Sequence, residues 1–163
     1  MRRAIETHLS TEQVAHVIYG AIIGIALVVA LEAHPPSPGV VTASLLATAV
    51  AVGLAELYSQ VVGAETRNRR RVGRDELGEM LPDVAAVAFG IAFPAVFFVL
   101  AAVGVLDEAT AFTVAKWSGL GLISFYGFGA GRLSGAGVAV SLLQAVAVGV
   151  IGGALIAFKA LIH

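Results

Sequence analysis

Five long apolar runs fill most of this chain, each close to or beyond the roughly 20 residues a helix needs to cross the hydrocarbon of a bilayer. A continuous run of that kind in lipid has no water for its backbone groups, so it closes its own hydrogen bonds as a helix. The expected fold is therefore all-α, a polytopic transmembrane bundle of five helices forming one domain over residues 1–163. With 58% hydrophobic and only 13% charged residues, the chain has too little polar surface to clothe a water-facing globule. There is no cysteine, which leaves carboxylate, imidazole, thioether and carbonyl groups as the available metal ligands.

The spans are expected near 14–31, 40–63, 81–106, 109–131 and 138–162. Pro35, Pro36 and Pro38 close the first and force a short exposed turn. Pro94 falls near the middle of the third, where it removes one backbone hydrogen bond and should kink the helix. Asp107 and Glu108 make a tight turn, and the link 132–137 is short enough to make spans four and five an antiparallel pair. Met1-Arg2-Arg3 precedes an apolar stretch as in a signal peptide, but Glu6, His8 and Glu12 intervene and the run that follows is long, so a retained first span is expected.

Charge segregates sharply. Residues 64–79 are expected to form an Arg-rich cytoplasmic loop carrying Arg67, Arg69, Arg70, Arg71 and Arg74. With Arg2, Arg3 and Arg132 these lie on one side of a five-span arrangement, and Glu32, Asp107 and Glu108 on the other. The excess of basic residues in cytoplasmic loops then puts the amino terminus inside and the carboxyl terminus outside, in the cytoplasmic membrane of a prokaryote. The arginines read as topology determinants with a second role in contacting anionic lipid. Glycines four apart at Gly20 and Gly24, Gly127 and Gly131, and Gly149 and Gly153 bare helix faces, so spans one, four and five are expected to pack closely.

Placed by depth, His16 and Tyr19, Glu56, Tyr126 and Gln144 fall in one layer of the cytoplasmic half, drawn from four helices. Glu56 is the principal candidate. A carboxylate inside the hydrocarbon boundary costs about 2.5–3.5 kcal/mol, so it must be paired, protonated, or facing water or an ion. Two readings follow: a proton- or cation-binding group, or a structural pin bonded to His16, Tyr19 or Gln144. Glu79 and Asp83 share a helix face near the cytoplasmic ends of spans two and three, and with Glu56 make a candidate divalent-metal set. The alternative for the acids there is a solvated face that neutralises the arginines. Lys116, beside Trp117, reads as a snorkelling cation for which Glu32, Asp107 or Glu108 is an easier partner than Glu56. No phosphate loop, nucleophilic triad, zinc motif or dinucleotide fingerprint is present, so neither an enzyme nor a cofactor is expected, and nucleic acid is not an expected partner.

Several short motifs resemble the vacuolar iron transporter family. Val17-Ile18-Tyr19-Gly20-Ala21-Ile22-Ile23 is similar to its first-span motif, Ala55-Glu56-Leu57-Tyr58-Ser59 to the Gly-Glu-Tyr-x-Ser ending of its second span, and Ser141-Leu142-Leu143-Gln144 with Gly149, Gly152 and Gly153 to its final helix. Tyr19 stands where the family carries aspartate, and Val52 where it carries methionine. The family's cytoplasmic metal-binding helices are cut to the short arginine-rich link. The resemblance implies a five-span scaffold, a homodimer with a path between subunits, and Glu56 as the carboxylate of a cation or proton-coupled transporter related to carriers of iron and manganese. The rival expectation is a membrane scaffold that transports nothing and binds a partner or lipid.

Overall fold

The computed structural model describes residues 11–133, 135, 137–143, 145–147, 149–150 and 154. Among these, every regular element is a helix: α1 (Thr11–Leu31), α2 (Pro38–Asn68), α3 (Arg74–Ala92), α4 (Ala95–Ala102), α5 (Glu108–Leu133) and a shorter apolar α6 (Val138–Ala147). α1 and α2 are each long and apolar enough to cross a membrane, and α3 with α4 makes a third candidate bent by 46°. α5 is long enough at 26 residues, but Lys116, Trp117 and Ser118 lower its hydropathy. Most of the expected fifth span, Gln144 included, lies outside the described residues.

The bend has the expected cause. Pro94 cannot donate to the helix ladder, and the turn at Phe93 and Pro94 divides the third run into α3 and α4. A second proline, Pro82, lies inside α3, because the helix begins at Arg74 rather than at the expected boundary near residue 81. The loop expected over 64–79 is likewise mostly helix. α2 runs 31 residues, about 46 Å at 1.5 Å per residue, and so extends well past the thickness of a hydrocarbon layer. Glu65, Thr66 and Arg67 are all tolerated in a helix that has already nucleated, so polarity marks where the lipid ends and not where the helix does.

What stops α2 is Arg69, which takes the left-handed conformation at φ 50° and caps it. The true turn is 69–73. Glu65 accepts the Val72 N–H at 3.2 Å, and Glu76 accepts the Gly73 N–H at 3.1 Å while pairing with the Arg70 guanidinium. Glu76 raises the already high pKa of Arg70. At the other end of the bundle Pro38 opens α2 in the first helical turn, where its missing N–H costs nothing. Asp107 caps α5 by accepting from the Thr110 hydroxyl at 2.6 Å and the Thr110 N–H at 2.9 Å, bonds that hold its carboxyl below the ordinary carboxylate range. That contribution is present above the unfolded pKa of Asp107 and is lost as pH falls through the folded one.

α1 is the hub. It packs along α3 and α5, while α2 packs on α3 and α4. One core joins Val28, Val41, Leu45, Phe98, Phe112 and Ala115 at the end remote from the arginines, with the Phe98 and Phe112 rings edge-on at 4.8 Å. The expected glycine contact exists, but its partner is α3. Gly20 and Gly24 face the backbone of Val87, Gly90 and Ile91, and Gly90 faces Val17 and Gly20 in return. A Cβ on Gly90 would stand 2.5 Å from the Val17 carbonyl oxygen, one on Gly24 3.0 Å from that of Ile91, and one on Gly20 would fall inside contact distance of the Val87 carbonyl. Gly129, on the opposite side of α5 from Gly127 and Gly131, has open space at its Cα.

Because these obstacles are backbone atoms, no rotamer change relieves them. Gly20→Ala and Gly90→Ala are expected to cost at least about 2 kcal/mol each, read as a fall in the thermal unfolding midpoint in detergent. Gly78→Ala, at a helical position with nothing within 4 Å, is expected to stabilise by up to about 1 kcal/mol.

Candidate functional site

The α1–α3 contact decides where the polar side chains go. His16 lies one turn before Gly20 and Asp83 one turn before Val87, so the approach that joins Gly20 to Val87 also brings these two together. His16 Nδ1 stands 3.9 Å from an Asp83 carboxylate oxygen, and its Nε2 stands 3.3 Å from Oε1 of Glu56 on α2. Gln60, one turn beyond Glu56, donates its amide N–H to the same Oε1 at 2.9 Å. An imidazole is thus held between two carboxylates from two other helices. It can present an N–H to each when protonated, and to one of them when neutral.

The three side chains are neither sealed nor fully wet, with exposures of 19% for His16, 23% for Glu56 and 19% for Asp83. They line an open cleft of about 720 Å³ whose other walls are Ser59, Gln60, Gly63, Thr66, Arg67 and Met80. The cleft lies toward the end of the bundle that carries the arginine turn. Its polar walls and its opening offset the cost of placing Glu56 along an apolar helix.

The expected five-membered layer is only partly assembled. His16 and Glu56 meet as expected. Tyr19 is 51% exposed and does not line the cleft. Tyr126 instead borders a separate, mainly apolar cleft of about 430 Å³ with Gln13, Val17, Pro82, Ala85, Ala86 and Phe89. Gln144 lies outside the described residues. Of the candidate metal set, Asp83 and Glu56 flank His16, but Glu79 is exposed and does not line the cleft. Among the described residues, no three His, Asp or Glu side chains are grouped so as to hold a metal ion. Asp83 stands at His16, while Glu79, on the same face but one turn nearer the arginine turn, is exposed.

Ser59, Met80 and the cleft-facing position of Arg67 carry no signal in the sequence; Gln60, which with Tyr58 reads as an ordinary interfacial residue, proves to be a partner of Glu56, as its spacing of four from that residue allows. His16 also shares the face of Gly20 and Gly24, a register that already placed it against a neighbouring helix.

A second ion pair lies toward the opposite end of α1. Lys116 donates to both oxygens of Glu32, at 2.7 and 2.9 Å, joining α5 to the residue that follows α1. Their side chains are 18% and 28% exposed. The expected partner among Glu32, Asp107 and Glu108 is therefore Glu32. A scan against family models matched no family, and searches of curated proteins and of solved structures found no match.

Removing one half of a sheltered pair leaves the other charge without compensation. Lys116→Met is expected to cost roughly 1–3 kcal/mol in an unfolding titration, and combining it with Glu32→Gln to recover part of that loss. Equal losses in the single and double variants would assign the cost to packing of the lysine stem.

Proposed function

We propose that this chain is an integral membrane protein of five spans that moves protons or cations across the bilayer, with Glu56 and His16 as the exchanging pair. The observation that carries this reading is the imidazole held between Glu56 and Asp83 in a cleft that opens at one end of the bundle. Imidazole is the side chain whose charge ordinarily changes near neutral pH, and a carboxylate beside it is a natural acceptor for its proton. Such groups within membrane spans mark proton relays and ion pathways. The hydroxyls of Ser59 and Thr66, the Gln60 amide and the Met80 thioether supply further neutral donors and acceptors along the walls.

The absence of a three-ligand cluster among the described residues favours a proton, or a cation carried transiently, over a tightly held divalent metal. The motif resemblance to vacuolar iron transporters supports the same scaffold and the same carboxylate. The basic turn supports an orientation with both the turn and the amino terminus in the cytoplasm. In this frame the His16 cleft is the cytoplasmic mouth, and the Glu32–Lys116 pair stands near the opposite face.

The test is a flux assay on purified protein in liposomes, screening protons, iron(II), manganese(II) and zinc(II), with Glu56→Gln alongside. Flux of at least one ion that Glu56→Gln reduces by tenfold or more, on the order of a lost charge-assisted bond, is the expected result. A folded protein that moves none of these ions would sink the proposal and leave Glu56 as a structural pin.

A further inference from the structure

We infer that the turn between α2 and α3 is a docking surface for the headgroups of anionic phospholipids, formed by Arg67, Arg69, Arg71 and Arg74. The inference rests on insertion of the chain in a bilayer, as proposed above, and not on transport.

The five arginines of this region are not equivalent. Arg70 is committed to the fold. Its guanidinium pairs with Glu76 and also reaches the Arg71 carbonyl, which ties the turn to the first turn of α3. The carboxylates of Glu65 and Glu76 meanwhile accept the Val72 and Gly73 N–H groups and so help shape the turn. Arg67, Arg69, Arg71 and Arg74 are all exposed. Their charge faces outward, with Asp75 exposed next to Arg74 and Glu79 exposed one turn further along α3.

Height fixes what this charge meets. The exposed apolar residues nearest the turn are Tyr58 and Val62 on α2, and Leu77 and Leu81 on α3. In a bilayer these face acyl chains. Arg67 lies five residues past Val62 and Arg74 three residues before Leu77, which is about 7 and 5 Å along the helix axes. The headgroup layer on each side of the hydrocarbon is about 5–8 Å deep, so the arginine row sits at phosphate level. Four exposed guanidiniums spread around a turn, of which only Arg67 also borders the open cleft, suit a field of phosphates more than a single small anion.

The experiment takes the delipidated full chain in neutral detergent, adds phosphatidylglycerol or phosphatidylcholine, and measures retained lipid by native mass spectrometry. Arg67 is left intact because it also lines the cleft. The unmutated chain is expected to prefer phosphatidylglycerol, and Arg70→Gln to keep that preference. Neutralising Arg69, Arg71 and Arg74 together to Gln should weaken it by on the order of a hundredfold, about fivefold for each surface arginine. Replacing the same three by Lys should preserve it. A triple Gln variant that binds like the unmutated chain overturns the inference, and so does displacement of the lipid by millimolar inorganic phosphate. Should the triple variant fail to fold, a salt titration of the unmutated chain decides: the preference must fade as ionic strength rises, and persistence at high salt overturns it. None of these readouts depends on flux.

Discussion

The backbone contact between α1 and α3 is the constraint on which the rest depends. Gly20, Gly24 and Gly90 have no side chains to hold the helices apart, so the two helices approach to backbone distance. The ladder of close packing then sets the register of everything above and below it. One turn toward the arginine end it aligns His16 with Asp83. On the α2 side of α3, Ala49, Val87 and Ile91 form a small apolar core that seats α2 and thereby delivers Glu56 to the same imidazole. A histidine bridging two carboxylates is thus a by-product of where three glycines fall.

The apolar middle of the bundle separates two ionic groupings of different character. Near the arginine turn, His16, Glu56 and Asp83 share an open cleft with neutral polar neighbours, an arrangement in which protons can be exchanged with water. Toward the other end, Lys116 and Glu32 make a close two-pronged pair between α5 and the residue after α1. Along α1, His16 and Glu32 are sixteen residues apart, about 24 Å of helix. Between the two groupings, Ala21, Ile25 and Val29 on α1 form a buried cluster with Ile123 on α5.

Much of the fold was legible because bilayer physics is coarse. Run length and apolarity gave helices, the prolines gave the α1–α2 turn and the α3–α4 bend, and Gly20 with Gly24 gave a bare helix face. Boundaries at the polar end were not legible, since Glu65, Thr66 and Arg67 are compatible with helix and loop alike, and only the left-handed Arg69 ends α2. The partner of the glycine face was also hidden. A helix face records that something approaches closely, while Gly90 within Phe89-Gly90-Ile91 carried no spacing signal of its own. For the site, Glu56 and His16 were marked by the cost of polar atoms in apolar runs. Tyr19 and Tyr126 were assigned by depth alone, and depth says nothing about azimuth, which is where both depart from the cleft.

A double-variant cycle on ion flux tests most directly whether Glu56 and His16 act as one unit. Flux in liposomes would be compared for the unmutated chain, Glu56→Gln, His16→Gln and the two combined. If the pair exchanges the ion jointly, each single variant loses nearly as much as the double, as is usual for groups that work together. Losses that multiply independently would contradict the account, and would return the 3.3 Å contact between His16 and Glu56 to a purely structural role.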